Sequence, residues 1–351
     1  MSVRRLRRAA AATSLLLLGL TATACGGDAS AGENRLVLGY FPNITHAPAL
    51  VGLKEGIYAD ALGDGIDFST QTFNAGPDAV NAIFSGDVDA AFVGPNPAIN
   101  GWAKSEGAAL RVIAGSTSGG SGLVVRPEIT SVDDLKGATL ATPQLGNTQD
   151  VALRWWATNQ GWTFDTAGGG DISIIPQKNS EIVDAFLTDR IDGAWVPEPY
   201  LSRLVIKGGG HVLVDESDEW PDTGGRFVTT QLIVNADYLK AHPDNVRRLL
   251  KGHIATIDRM NADPEDARRA TADQFAELSG RRLDDDLLTA AFDNLTFTVD
   301  PVAPSLRGSA EHAEAAGVLP PVDLNGLYAL DILNELLSDA GRDRVSGLEG
   351  D

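Results

Sequence analysis

The 351-residue chain is short of sulfur, with one cysteine and two methionines. A lone thiol, Cys25, excludes an intrachain disulfide and a cysteine-built metal centre. Five histidines are present, but His46, His211, His242, His253 and His312 are too dispersed for zinc-ligand spacing, so neither a metal nor a cofactor is expected. The chain has no Gly-x-Ser-x-Gly elbow, no phosphate loop ending in Gly-Lys-Ser/Thr and no His-Glu-x-x-His helix, which argues against the corresponding enzyme classes. Basic residues are scarce as well, 28 Lys+Arg against 48 Asp+Glu for a net charge of −20. That balance argues against nucleic acid or an anionic lipid surface as a partner. It leaves room for a buried anion, because oriented backbone amides can bind one against the net field.

Long apolar runs are also missing, apart from one near the start. Arg4, Arg5, Arg7 and Arg8 form a basic region ahead of the apolar stretch Ala9–Leu20, a pattern of signal-peptide length and too short to span a bilayer permanently. Residues 1–24 therefore read as a cleaved leader, and Arg4-Arg5 is too loose a pattern to select the export route. Ala22-Thr23-Ala24-Cys25 resembles a bacterial lipobox, although Ala22 stands where leucine is usual. The resemblance implies that Cys25 becomes a lipid-bearing first residue, with 25–34 as a small, polar tether. An extracytoplasmic protein held on the outer face of the cell membrane is expected.

Asp78–Val93 (DAVNAIFSGDVDAAFV) and Glu181–Val196 (EIVDAFLTDRIDGAWV) read as two copies of one helix-turn-strand unit. In each, an amphipathic stretch ends in a polar turn, an aspartate (Asp89 or Asp192) precedes a small-small-aromatic-Val strand, and a proline-containing loop follows. Such repetition predicts two similar lobes with a cleft between them. The loops after the strands, Gly94–Pro97 and Pro197–Tyr200, are expected to face that cleft.

Strand and helix signals alternate along the chain. Each lobe is thus expected to be a mostly parallel sheet with helices on both faces, an α/β fold. Lobe 1 takes residues 35–118 and 225–351, the latter ending in a helical extension, and lobe 2 takes 119–224. Glycine-rich crossings near Ser118–Gly122 and Asp222–Arg226 are expected to act as a hinge.

With these segments placed, the chain resembles the solute-binding lipoproteins of bacterial ABC importers, specifically the sulfonate, nitrate and taurine type. The resemblance lies in Leu36–Tyr58 (LVLGYFPNITHAPALVGLKEGIY), Gly86–Ala91, Asp133–Gly137, the Gln144–Asp150 loop, and Ile191–Trp195 with Glu198-Pro199-Tyr200. It implies a type 2 periplasmic-binding-protein-like fold and a monomer that captures a small solute and passes it to a membrane permease. Pyrimidine-forming enzymes of thiamine synthesis share the fold but use a cysteine-rich segment, and Cys25 is already assigned to the lipid. A non-enzyme is therefore expected, with nitrate or a thiamine-precursor pyrimidine as alternative ligands. A structural surface lipoprotein would lack a closable cleft.

For an anionic solute, helix N-termini and short hydroxyl or amide side chains are the natural receptors. Asn43, His46, Asn96, Ser116, Thr117, Ser118, Gln144, Asn147 and Thr148 meet that description. Trp195 could wall the organic part of the ligand. Glu198 would repel an anion unless the ligand also carries an amine, which an amino-sulfonate would supply.

Overall fold

Short apolar runs bounded by polar turns enter the sheets, and the amphipathic stretches between them become covering helices. The computed structural model describes residues 34–166 and 169–348. The leader, Cys25 and the tether up to residue 33 lie outside the described residues. The chain opens with β1 (Arg35–Tyr40), α1 (Ala47–Lys54), α2 (Ile57–Leu62) and β2 (Asp67–Thr72). The first repeat follows as α3 (Gly76–Ser85) and β3 (Ala90–Val93), then α4 (Pro95–Lys104) and β4 (Leu110–Gly119). Beyond the crossing lie β5 (Ser121–Val125), β6 (Thr139–Thr142), α5 (Thr148–Asn159), β7 (Phe164–Asp165) and β8 (Ile172–Pro176). The second repeat is α6 (Asn179–Leu187) and β9 (Gly193–Pro197), followed by α7 (Tyr200–Ile206) and β10 (His211–Asp215). The chain then returns as β11 (Val228–Asn235) and continues through α8 (Ala236–Ala241), α9 (Pro243–Ala262), α10 (Pro264–Ser279) and α11 (Asp285–Asp293) to β12 (Leu295–Phe297), α12 (Ala303–Ala315) and α13 (Asp331–Asp339).

Two sheets result, with orders β12-β4-β11-β3-β1-β2 and β10-β5-β9-β6-β8-β7. Their cores share one strand order: β11, β3, β1 and β2 in the first correspond to β5, β9, β6 and β8 in the second. Both are mixed, with two of five pairings parallel in the first and three of five in the second. β1 pairs in parallel with β2 and β3, and β6 with β8 and β9, but β11 and β5 run antiparallel to their neighbours. The reason is the connection: β11 returns from the other sheet and β5 arrives from it, so neither is fed by a covering helix of its own sheet.

The same aspartate fixes the register of each repeat. Asp89 Oδ2 accepts the amide of Val37 in β1 at 2.8 Å, and Asp192 Oδ2 accepts that of Thr139 in β6 at 2.7 Å. The covering helices start where their sequence signals place them. α9 and α10 begin at Pro243 and Pro264, where proline's missing amide costs nothing, and α10 stops at the left-handed Gly280. Val246, Leu249, Leu250 and Ile257 of α9 join Leu306 of α12 and Leu333 and Leu337 of α13 in the core beneath the first sheet.

The start of the first expected crossing, Ser118–Gly119, is still strand. β4 runs on through it and becomes β5 of the other sheet across Gly119 and Gly120, whose φ values of 83° and 71° suit glycine alone. The chain returns through Gly224 and Gly225, φ 64° and 81°. The two lobes, each a sheet with its helices, also touch away from these crossings. Trp155 of α5 stacks on His312 of α12 with ring centres 3.6 Å apart and planes 16° apart.

Candidate functional site

The carboxyl ends of β1, β2 and β3 in one lobe and β6, β8 and β9 in the other open onto one cleft of about 430 Å³. This is where α/β sheets place ligands, since each strand end there hands over to a helix whose first amides are unpaired. Four helices of nine residues or more begin at the rim. α3 starts behind Ala75, α4 behind Gly94, α5 behind Asn147 and α6 behind Lys178, and none of these four residues caps its helix by its own side chain, while Glu181 in the first turn of α6 accepts the Lys178 amide at 3.4 Å. Two positive helix ends from each lobe thus meet in one space.

The first lobe supplies Phe41, Asn43, Thr45 and His46, Phe73 and Gly76, Gly94, Thr229 and Thr230, and Phe275 from α10. Asn43 shapes its own loop by accepting the amide and hydroxyl of Thr45 at 3.1 and 3.2 Å. His46 is buried and stacks on Phe41 at 4.2 Å, and its Nδ1 accepts the Phe41 amide at 3.3 Å. Burial without a counter-charge lowers its pKa to about 3. The ring is neutral at physiological pH, so its proton sits on Nε2, a hydrogen-bond donor on a residue of the cleft wall.

The second lobe supplies Pro143, Asn147, Thr148, Gln149, Lys178, Asn179, Pro197 and Tyr200. Asn179 Oδ1 is buried and has no hydrogen-bond partner among the described residues. Burial also raises the Tyr200 pKa, so its phenol stays protonated. Among the described residues, Lys178 is the one Lys or Arg lining the cleft, and no Asp or Glu lines it. Carboxylates in the first turns of the four helices lie outside the lining: Asp78 and Glu181 are exposed, and buried Asp150 is bound by the Thr142 hydroxyl and Arg154. The lobes meet closely at one edge, where a Cβ placed at Gly94 would lie 2.5 Å from Thr148 Oγ1.

Of the residues singled out from sequence, Asn43, His46, Asn147 and Thr148 line this cleft, and Gly94, Pro97, Pro197 and Tyr200 of the post-strand loops line it too. The other seven are placed elsewhere. Asn96 points away along α4 and donates to the Ser309 carbonyl at 3.0 Å. Ser116, Thr117 and Ser118 are buried in β4, where the Thr117 hydroxyl donates to the Thr45 carbonyl at 2.7 Å and supports the cleft loop from below. Gln144 holds the turn through its carbonyl, which accepts the Asn147 amide at 2.9 Å. Trp195, the middle residue of β9, is fully buried and donates its indole N–H to Glu216 at 2.8 Å, and its inward-facing ring packs on Trp156.

Glu198 is likewise sealed off. Its carboxylate accepts the Ser202 hydroxyl and the Asn294 amide, each at 2.7 Å, and it reaches no cleft atom. Desolvation raises its pKa, as it does for Glu216. The bond to Asn294 crosses between lobes beside Gly120, so Glu198 belongs to the crossing. The cleft residues missed from sequence include Phe41, Phe73, Thr230, Lys178, Asn179 and Phe275. The repeat itself carried a signal for two of them, since Lys178 and Asn179 fall opposite Ala75 and Gly76 when the copies are aligned.

A second hollow of about 640 Å³ lies where α5 meets α12, lined by Trp155, Trp220 and His312. Asp218, Glu219, Asp222 and Glu311 also line it. Four carboxylates against one guanidinium, Arg307, make it a poor receptor for an anion.

The sequence profile of the NMT1-like family matches residues 29–276. A protein of Brucella abortus whose name describes only binding is 27% identical over 220 residues, covering 62% of this chain and 63% of that protein. The taurine-binding periplasmic protein of Escherichia coli is 25% identical over 223 residues, 62% of this chain and 64% of that one. The chain therefore matches less than two thirds of the length of these curated relatives. Among solved structures, the alkanesulfonate-binding protein of Xanthomonas axonopodis pv. citri, bound to MOPS, shares the fold with a TM-score of 0.65 at 18% identity, over 82% of this chain and 94% of that one. The family match spans well over half of the residues, and the chain belongs to the NMT1-like family.

Proposed function

We propose that this NMT1-like protein is the extracytoplasmic solute-binding component of an ABC importer, capturing a small organic sulfonate between its lobes and delivering it to the permease. One observation carries the reading: four helix N-termini, two from each lobe, converge on a single cleft with no carboxylate among its described lining residues. Such an arrangement holds an anion by main-chain donors and needs no matching positive side chain. The names of the Escherichia coli and Xanthomonas relatives support a sulfonate as that anion.

In this reading the sulfonate oxygens take the first amides of the helices, with His46 Nε2–H, Thr148 and Asn147 as side-chain donors. Contact with both lobes selects a closed arrangement over an open one, and the glycine pairs at the crossings absorb the rotation. No catalytic role is assigned to any residue. The lipid on Cys25 would keep the protein, acting as a monomer, near its permease on the outer face of the membrane.

Titration calorimetry on the chain from residue 25, with alkanesulfonates, taurine, nitrate, sulfate and a thiamine-precursor pyrimidine, tests the proposal. One-to-one binding of at least one organic sulfonate at roughly micromolar affinity or tighter is expected. Absence of heat and of thermal shift with every sulfonate, or binding of the pyrimidine alone, would overturn it.

A further inference from the structure

We infer that the cleft is built for a sulfonate with an uncharged, apolar tail and discriminates against amino-sulfonates; this rests on the solute-binding reading above. The head of the ligand has its receptors in the helix ends, so the rest of the lining decides what the head carries. Phe41, Phe73, Tyr200 and Phe275 supply aromatic surface from both lobes, and Pro42, Pro97, Pro143 and Pro197 add apolar wall. Such surfaces gain from excluding water from hydrocarbon.

An ammonium group finds the opposite. No carboxylate is among the described lining residues, and the two buried ones nearest in sequence to the second-lobe wall are already bound, Asp150 by Thr142, Gly146 and Arg154 and Glu198 by Ser202 and Asn294. Two of the cleft's amide oxygens are poor partners for the ammonium: Asn43 Oδ1 is taken by Thr45, and the unpartnered Asn179 Oδ1 adjoins Lys178 in the chain. In a short amino-sulfonate the ammonium sits only a few bonds from the sulfonate, so it must enter the same positive field that holds the head. A methyl group in its place meets no such penalty.

The comparison to make is therefore between isosteres. Taurine and propane-1-sulfonate differ chiefly by an ammonium replacing a methyl, and calorimetry on the wild-type chain should find propane-1-sulfonate at least about tenfold tighter. Butane-1-sulfonate should exceed its amino counterpart likewise. Phe275→Ala, a half-buried wall residue, should weaken butane-1-sulfonate about fivefold and weaken taurine by a smaller factor. Lys178→Gln should weaken both head groups but narrow the ratio between them, because it removes a cation that repels only the amine. Taurine binding as tightly as propane-1-sulfonate, or more tightly, overturns the inference and leaves the sulfonate-binding function standing. Failure of every sulfonate to bind overturns both.

Discussion

Asp89 and Asp192 stand at matching places in the two lobes, and each accepts the amide of the neighbouring parallel strand at nearly the same distance. Their surroundings differ. Asp89 is buried and also meets Arg35 at 3.4 Å, whereas near half-buried Asp192 the guanidinium of Arg126 turns to the carbonyls of Phe186 and Ile191. Past the strands the copies part further. β3 passes through Gly94 straight into α4, while β9 passes through Pro197, buried Glu198 and Pro199 before α7 begins. The strand starts are held by pairing and tolerate little change, because one lost bond leaves a buried amide without a partner. The strand ends face a cavity or a crossing, and there the two copies were free to take different tasks.

The sharpest contrast between the lobes is electrostatic. His46, His253 and His312 belong to the first lobe, and burial lowers their pKa values to about 3, 4 and 4. Below the unfolded value of about 6.5 the unfolded chain binds protons that these folded rings refuse, so stability present above that pH drains away as pH falls towards 4. In the second lobe Glu198 and Glu216 are raised by desolvation. They favour the folded state when neutral, and that contribution is lost as pH rises above 4.5. Moving from pH 7 to pH 5 should therefore weaken the first lobe by about 1–2 kcal/mol per histidine and relieve the second. Hydrogen exchange, corrected for intrinsic rates, should show protection falling in β1, β3 and β11 and holding in β6, β8 and β9; the reverse order would contradict the assignment.

Next in size comes the aspartate pair. Alanine at either position should cost about 1–3 kcal/mol in urea unfolding, with Asp89→Ala at the upper end because Arg35 also loses its partner. Equal losses would show that the extra burial and ion pair around Asp89 contribute nothing. The smallest effect concerns the strand ends. Gly94→Ala puts a methyl against Thr148 and should weaken sulfonate binding about tenfold, or ~1.4 kcal/mol, with thermal stability nearly unchanged. Adding Thr148→Ala should restore part of that loss if the obstacle is contact between lobes. Pro197→Ala, at the matching end of β9, meets no such contact and should change affinity less.

Much of this architecture was legible in the sequence. The duplicated unit and its aspartates follow from pattern alone, because periodicity and turn chemistry act locally. The loops after the repeat strands were correctly aimed at a common cleft. Ser116–Ser118 misled because hydroxyl and glycine residues signal a turn, yet here β4 needs small side chains to pass between layers. Trp195 and Glu198 misled for a different reason: a side chain on a strand or just past it can face the cavity or the core, and partners distant in sequence, Glu216 and Asn294, decided both. Phe275 reaches the cleft from a helix two hundred residues after His46, a placement that no local signal contains.

Trp155 and His312 hang from different lobes, yet their rings lie face to face. An indole's emission responds to whatever lies against its ring, and these two surfaces can stay in register only while the lobes keep their present angle. The unlabelled polypeptide thus carries its own optical gauge, read at a point well removed from the solute.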